Sequence, residues 1–257
     1  MDAIVTAGGA PSTDDPLASE LGTAPKSMLD VAGKPMVQWV LDALAGSAYI
    51  DRVIVVGLPD DVPLEFPRPL TILPDTGSMI DNLQSAAKVL SSAHQENDFV
   101  LAVSSDTPTI TTQHVDWVIK QVEQVTGELF FGVIERKTME KRFPGANRTF
   151  LKLRDKELCG SDFNALRLNL ISGGHPLARK IVDARKSPLK QALLLGFDTL
   201  LLILFRCLTL DQVARKISKK LGVSAQAVIT PFAELGMDVD KPHQLEIVRA
   251  ELIPKQK

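Results

Sequence analysis

The chain has 257 residues, and its 29 Lys and Arg against 31 Asp and Glu leave a formal charge of −2. That near-balance excludes a global basic field of the kind that draws nucleic acid or anionic lipid, and aromatic content of only 5% excludes a base-stacking surface. Hydrophobic residues at 45% with 23% charged make an ordinary globular composition with enough apolar side chain for a substantial core.

Ala3–Ala7 (AIVTA) reads as a short strand running into Gly8-Gly9. Lys34–Ala45 has helical spacing, with Val37, Val40, Leu41 and Leu44 on one face and Pro35 in its first turn. Arg52–Gly57 (RVIVVG) is a continuous β-branched run, as a strand buried on both faces requires. Leu70–Leu73 is a short strand, Met79–Ala93 a helix, and Asp98–Ser104 another buried strand followed by the turn Ser105-Asp106-Thr107-Pro108. Thr111 or Thr112 caps a helix through Thr126, and Glu128–Ile134 returns as a strand. Strands alternating with helices predict an α/β fold, a mostly parallel sheet flanked by helices and joined by right-handed crossovers. In such sheets the ligand lies beyond the carboxyl ends of the strands, so Gly8–Lys26 and Ser105–Pro108 are the informative segments.

Between residues 135 and 206 the rhythm changes, which predicts a small antiparallel and helical insertion within one domain spanning 1–257. Arg148–Leu153 and Ala165–Leu170 alternate apolar and polar residues, as a half-exposed antiparallel pair would. Helices are expected around Pro176–Ala184 and Leu189–Phe205. The apolar stretch Ala192–Leu208 sits at the lower length limit for a bilayer and is interrupted by Asp198 and Arg206. It reads as a buried core or subunit-interface helix rather than a membrane span, and it could join a homodimer. Leu210–Leu221 is amphipathic, Ala225–Thr230 a strand, and Asp240–Leu252 a terminal helix with Asp240 as its N-cap. Two cysteines, Cys159 and Cys207, provide no disulfide framework, and MDAIVTAGG is no secretory signal, so a cytoplasmic location is expected.

The strand-to-glycine turn Val5-Thr6-Ala7-Gly8-Gly9-Ala10 places two residues without Cβ where backbone amides can approach an anion. It is neither a Walker loop nor a GxGxxG turn. His94, His114, His175 and His243 lack paired metal-ligand spacing, and Ser104-Ser105-Asp106 is no GxSxG elbow, so zinc and serine-hydrolase chemistry are not expected. Taken singly, Lys26 reads as a solvated surface charge, and Asp106-Thr107-Pro108 as ordinary turn chemistry.

Four blocks in order change that reading: AIVTAGG, APKSMLDVAGKPMVQWVLDAL, SSDTP and GMDVDKPHQLE. Together, from Ala3 to Glu246, they resemble the MobA-like nucleotidyltransferases, of the Rossmann-like glycosyltransferase-A type of fold. Relatives there act on molybdopterin, sugar phosphates and methylerythritol phosphate. The stretch RTFLKLRDKELCGSDFNAL resembles the acceptor-side hairpin of these enzymes. The resemblance implies an NTP and a small phosphorylated acceptor as substrates, Mg²⁺ as cofactor, and pyrophosphate as the released product. By the same resemblance Ala7, Gly8 and Gly9 hold the nucleotide, and Gly77 and Ser78 contact the base. Lys26 neutralises phosphate charge and acts with Asp106 in catalysis, while Asp106 and Asp238 bind the metal.

One departure bears on mechanism. Many members carry an arginine shortly after the glycines (GGxGxRM), whereas this chain has no Arg or Lys between Gly9 and Lys26. Arg52, Arg68 and Arg148 are the candidates to supply the charge. The departure keeps a catalytically degenerate nucleotide-binding regulator as one alternative; a glycosyltransferase using a nucleotide-sugar is another, although SSD supplies only one acid of a DxD motif.

Overall fold

The computed structural model describes residues 1–9, 15–22, 24–91, 98–172 and 205–253. Four strands from the amino-terminal half, β1 (Asp2–Thr6), β4 (Val53–Val56), β5 (Leu70–Leu73) and β6 (Phe99–Ser104), pair in parallel in the order β5-β4-β1-β6. The short strands β2 (Asp30–Val31) and β3 (Lys34–Pro35) form a separate antiparallel pair. Beyond β6 lie β9 (Glu157–Arg167), β7 (Leu129–Glu135) and β10 (Ala225–Thr230), and the two-residue β8 (Leu151–Lys152) pairs onto β9. Only β9 runs antiparallel within the main order, between β6 and β7; β10 and β7 are parallel.

Strand alternation builds two cores. Ala3, Val5, Val53, Val55, Leu101 and Val103 face one way, against α2 (Met36–Gly46) and α4 (Thr112–Val122). Ile4, Ile54, Val56 and Val100 face the other way, against α3 (Met79–Leu90) and α6 (Leu168–Ser172). A strand with both faces covered has no polar side, which is why these segments read as unbroken apolar runs. Helix α2 buries Val37, Val40, Leu41 and Leu44 completely, the stripe its spacing predicts. Among the short and carboxy-terminal elements, α1 (Ala18–Leu21), α5 (Arg136–Arg142) and α8 (Pro242–Leu252) contribute to a further apolar cluster, while α7 (Leu210–Leu221) packs its apolar side with residues of β7, β9 and β10.

Three expectations need correction. The alternating segments Arg148–Leu153 and Ala165–Leu170 do not pair with each other. Instead Leu151 and Lys152 meet Leu158 and Glu157, while Ala165 lies opposite both Leu101 and Phe130 in the main sheet. Residues 157–167 thus belong to the centre of the sheet, with Phe163 and Ala165 fully buried. Non-local pairing decides this, and sequence alternation alone does not disclose a strand's partner. Second, α4 ends at Val122 rather than Thr126, and α3 at Leu90 rather than Ala93. Third, α8 starts at Pro242 behind Lys241, so Asp240 is not its N-cap. The helices expected around Pro176–Ala184 and Leu189–Phe205 fall outside the described residues, except Phe205, which sits in a turn. Among the described residues no helix is long and apolar enough to cross a membrane.

Candidate active site at the carboxyl edge of the sheet

Strands β1 and β4 are parallel neighbours, so both end at the same edge, and their following glycines meet there. The Ala7 amide donates to the Val56 carbonyl at 2.8 Å, and the buried Ser27 hydroxyl donates to the Ala7 carbonyl at 3.0 Å. A Cβ on Gly57, whose φ is +108°, would lie 2.2 Å from the Gly8 Cα. One on Gly8 would meet the Asn82 amide nitrogen at 2.9 Å. This close backbone crossing is the reason both strands end in glycine.

The Asp75 carboxylate ties the glycine turn to the segment before α3. It accepts from the Gly9 amide at 3.3 Å, from the Gly77 amide at 2.8 Å and from Asn82 Nδ2 at 3.1 Å. The Gly77 amide chiefly holds the Asp75 pKa below the ordinary carboxylate value; burial pulls the other way, and the Asn82 and Gly9 bonds add to the lowering. Gly8, Gly9 and Gly77 therefore gather around one acid. Ala7 lies buried beneath them, and the Ser78 hydroxyl caps α3 by accepting from the Asp81 amide at 3.1 Å. Asp75, Asn82 and Gly57 escape a reading of the sequence; the glycine closing RVIVVG was the one available signal.

Lys26 opens a single 3₁₀ turn, Lys26–Met28, entered through the extended residue Pro25. Its ammonium donates to Asp106 Oδ2 at 2.9 Å and also pairs with Asp240. The Ser104 hydroxyl donates to the other Asp106 oxygen at 2.5 Å. Burial pulls the Lys26 pKa down, but the charges and hydrogen bonds of Asp106 and Asp240 outweigh it and leave the pKa above the ordinary lysine value. The ammonium is thus firmly protonated.

Asp238 reaches this edge by a longer route. Strand β10 is the far edge of the sheet, and the chain returns from it through a 3₁₀ turn, Ala233–Gly236, laid against β9. The Ser161 hydroxyl donates to the Leu235 carbonyl at 3.0 Å, and a Cβ on Gly236 would sit 2.7 Å from the Gly160 carbonyl oxygen, so only glycine permits the approach. The Val239 amide then donates to the Asp106 carbonyl at 3.0 Å, which sets the backbones bearing Asp106, Asp238 and Asp240 side by side.

Of the three candidate arginines, only Arg148 is at this edge. Arg52 pairs with the buried Asp2 at 2.6 Å, at the start of β1, and Arg68 donates to the Leu44 and Ala45 carbonyls at the end of α2. Arg148 forms an ion pair with Asp238 and lies 3.9 Å from Asp162. All three line a cleft of about 760 Å³ together with Ser104, Thr149 and Asn164. Cys159 lines it too, but burial pushes its thiol pKa up and Arg148 offsets only part of that, so a thiolate nucleophile is not provided.

Among the described residues there is no group of three or more His, Cys, Asp or Glu that could hold a metal ion. The carboxylates of Asp106 and Asp238 nonetheless fit Mg²⁺, which takes one or two carboxylates and completes its shell with waters and substrate phosphates. Each is paired with a cationic side chain, Lys26 and Arg148 respectively.

Solved structures share this fold. A hypothetical transferase from Thermus thermophilus is 34% identical over 95% of this chain and 98% of its own, with a TM-score of 0.80. The CMP:2-keto-3-deoxy-manno-octonic acid synthetase, solved with CTP, shares the fold at 16% identity and a TM-score of 0.56, covering 99% of each chain. The 2-C-methyl-D-erythritol 4-phosphate cytidylyltransferase of Francisella tularensis shares it at 11% identity and 0.63, over 98% of this chain and 99% of that one. No curated protein matches. A family model of the MobA-like NTP transferase domain matches residues 3–177, so the chain belongs to that family of nucleotidyltransferases.

Proposed function

We propose that the protein transfers a nucleotidyl group from an NTP to a small phosphorylated acceptor, with Mg²⁺, and releases pyrophosphate. The observation that carries the reading is the Lys26 ammonium held between Asp106 and Asp240 beside the glycine turn. An oxygen of the acceptor attacks the α-phosphorus, a new P–O bond forms, and the bond to the β-phosphate oxygen breaks with its electron pair leaving on pyrophosphate. Anions are brought together in this step, so catalysis is chiefly positioning and charge stabilisation. Lys26 supplies a fixed positive charge, and Gly8 and Gly9 let the backbone approach the phosphates. Asp106 and Asp238 would hold Mg²⁺, which when bound neutralises phosphate charge. An enzyme consuming NTP works where NTP is abundant, which supports a cytoplasmic location.

The test is incubation with each of four NTPs, Mg²⁺ and a panel of phosphorylated acceptors. CTP leads the panel because the solved synthetase above was complexed with CTP and the other neighbour is a cytidylyltransferase. Pyrophosphate release together with a new nucleotidyl product is expected, and Asp106→Ala abolishes both. Pyrophosphate release that survives Asp106→Ala refutes the assignment of Asp106.

A further inference from the structure

Arg148 is a partly buried cation between acids. Its side chain is 15% exposed, between Asp238 at 11% and Asp162 at 13%, and its buried Nε has no hydrogen-bond partner. It lines the 760 Å³ cleft and also a neighbouring cavity of about 280 Å³ that includes Arg136, Asn147 and Lys152. Among the described residues lining the larger cleft the charged side chains are Arg148, Asp162 and Asp238, one cation against two anions. A phosphate entering there meets net negative charge in a partly desolvated space, where like charges repel most.

That balance reverses if the Asp238 carboxylate is taken by a cation. Arg148 then keeps a planar guanidinium facing the cleft, with donors suited to two phosphate oxygens at once. We propose that Arg148 is the phosphate-binding residue for the acceptor and that Asp238 masks it until a divalent ion occupies the carboxylate. The inference rests on the nucleotidyl-transfer reading above for the identity of the anion. The consequence is an order of binding, in which the metal-bearing nucleotide opens the acceptor site.

Inorganic phosphate is a sufficient probe, and neither nucleotide nor turnover is needed. Asp238→Asn removes the masking charge, so by calorimetry it should bind phosphate at least about tenfold more tightly than the unmodified protein without Mg²⁺, the scale of one charge-assisted hydrogen bond. Adding Arg148→Met should cancel the gain. Unchanged affinity in Asp238→Asn, or a gain that persists without Arg148, overturns the proposal. Should Asp238→Asn fail to fold, as judged by its melting transition, the unmodified protein is titrated with phosphate in the absence and presence of Mg²⁺ with a non-hydrolysable CTP analogue. Tightening that Arg148→Met removes supports the proposal, and no tightening overturns it. Pyrophosphate release is measured separately, so loss of the transfer reading and loss of the masked site give different results.

Discussion

Lys26 and Asp106 are eighty residues apart in sequence and meet at 2.9 Å, the ammonium of a loop after β1 on the carboxylate of the turn after β6. The contact follows from topology: β1 and β6 are parallel neighbours in register from Asp2↔Val100 to Thr6↔Ser104, so their following loops leave the same edge together. Replacing Lys26 by Met should lower the rate of pyrophosphate release roughly 10²- to 10³-fold, the usual effect of removing one preorganised charge-stabilising donor. Since Lys26 remains protonated above the ordinary lysine range, no loss of activity between pH 7 and pH 9 should trace to it, and the Met variant's pH–rate profile should have the same shape as the parent's over that range.

Asp240 separates a positioning role from a capping role. If it capped α8, Asp240→Asn would be nearly silent and Asp240→Ala would cost about 1 kcal/mol of stability. Because it pairs with Lys26 and leaves the cap position to Lys241, both variants should change stability by less than about 0.5 kcal/mol, as partly exposed pairs do. Both should slow turnover, since Lys26 loses one of the two carboxylates that fix it. Denaturant melts and initial rates on the same samples decide it.

Gly57→Ala tests the crossing of the two strand ends. The new methyl carbon would have to displace the Gly8 backbone, and Gly57 has a φ of +108° that side-chain-bearing residues rarely adopt. A loss of roughly 2–4 kcal/mol is expected from strain and overpacking together. The NTP KM should rise in parallel, because the displaced atoms belong to the glycine turn. Gly33→Ala has a positive φ too, but open space around its Cβ, so it should lose stability without affecting the KM.

His114 makes acid stability titratable. It sits inside the capping box of α4, its Nδ1 accepting from the Thr111 amide at 3.1 Å, and its ring packs tilted, 4.6 Å from that of Phe232. Burial lowers its pKa below the ordinary 6.5; Glu234 opposes the shift and Arg142 adds to it. The unfolded chain therefore binds the proton more readily than the folded one, and stability falls as pH drops through 6.5 and below. His114→Gln keeps an acceptor for the Thr111 amide while removing the titration. Its urea midpoint should show a smaller decline between pH 7 and pH 5 than that of the parent.

Much of the parallel half was legible because covered strands leave a strong local trace. RVIVVG and FVLAVS have no polar face, and the Val37, Val40, Leu41, Leu44 stripe has only one period that fits. The meeting of Gly8, Lys26 and Asp106 was legible for a related reason: all follow strands of one parallel sheet, which share an edge whatever the loop lengths. Asp240 was misread as a cap, since a local hydrogen bond and a long-range ion pair ask for the same residue type in the same position.

What the sequence determined by itself, then, was the class of fold and the strand ends at which Gly8, Lys26 and Asp106 lie, because periodicity and strand-end position are local properties. The tertiary structure alone decided that β9 threads antiparallel between β6 and β7 and that Gly236 lets the chain return across it to bring Asp238 beside Asp106. It also decided that Arg148, rather than Arg52 or Arg68, pairs with Asp238. The physical reason is common to all three: strand partners, backbone approach and ion pairs between distant residues depend on which segments end up adjacent. Side-chain type and spacing along the chain carry no record of that adjacency.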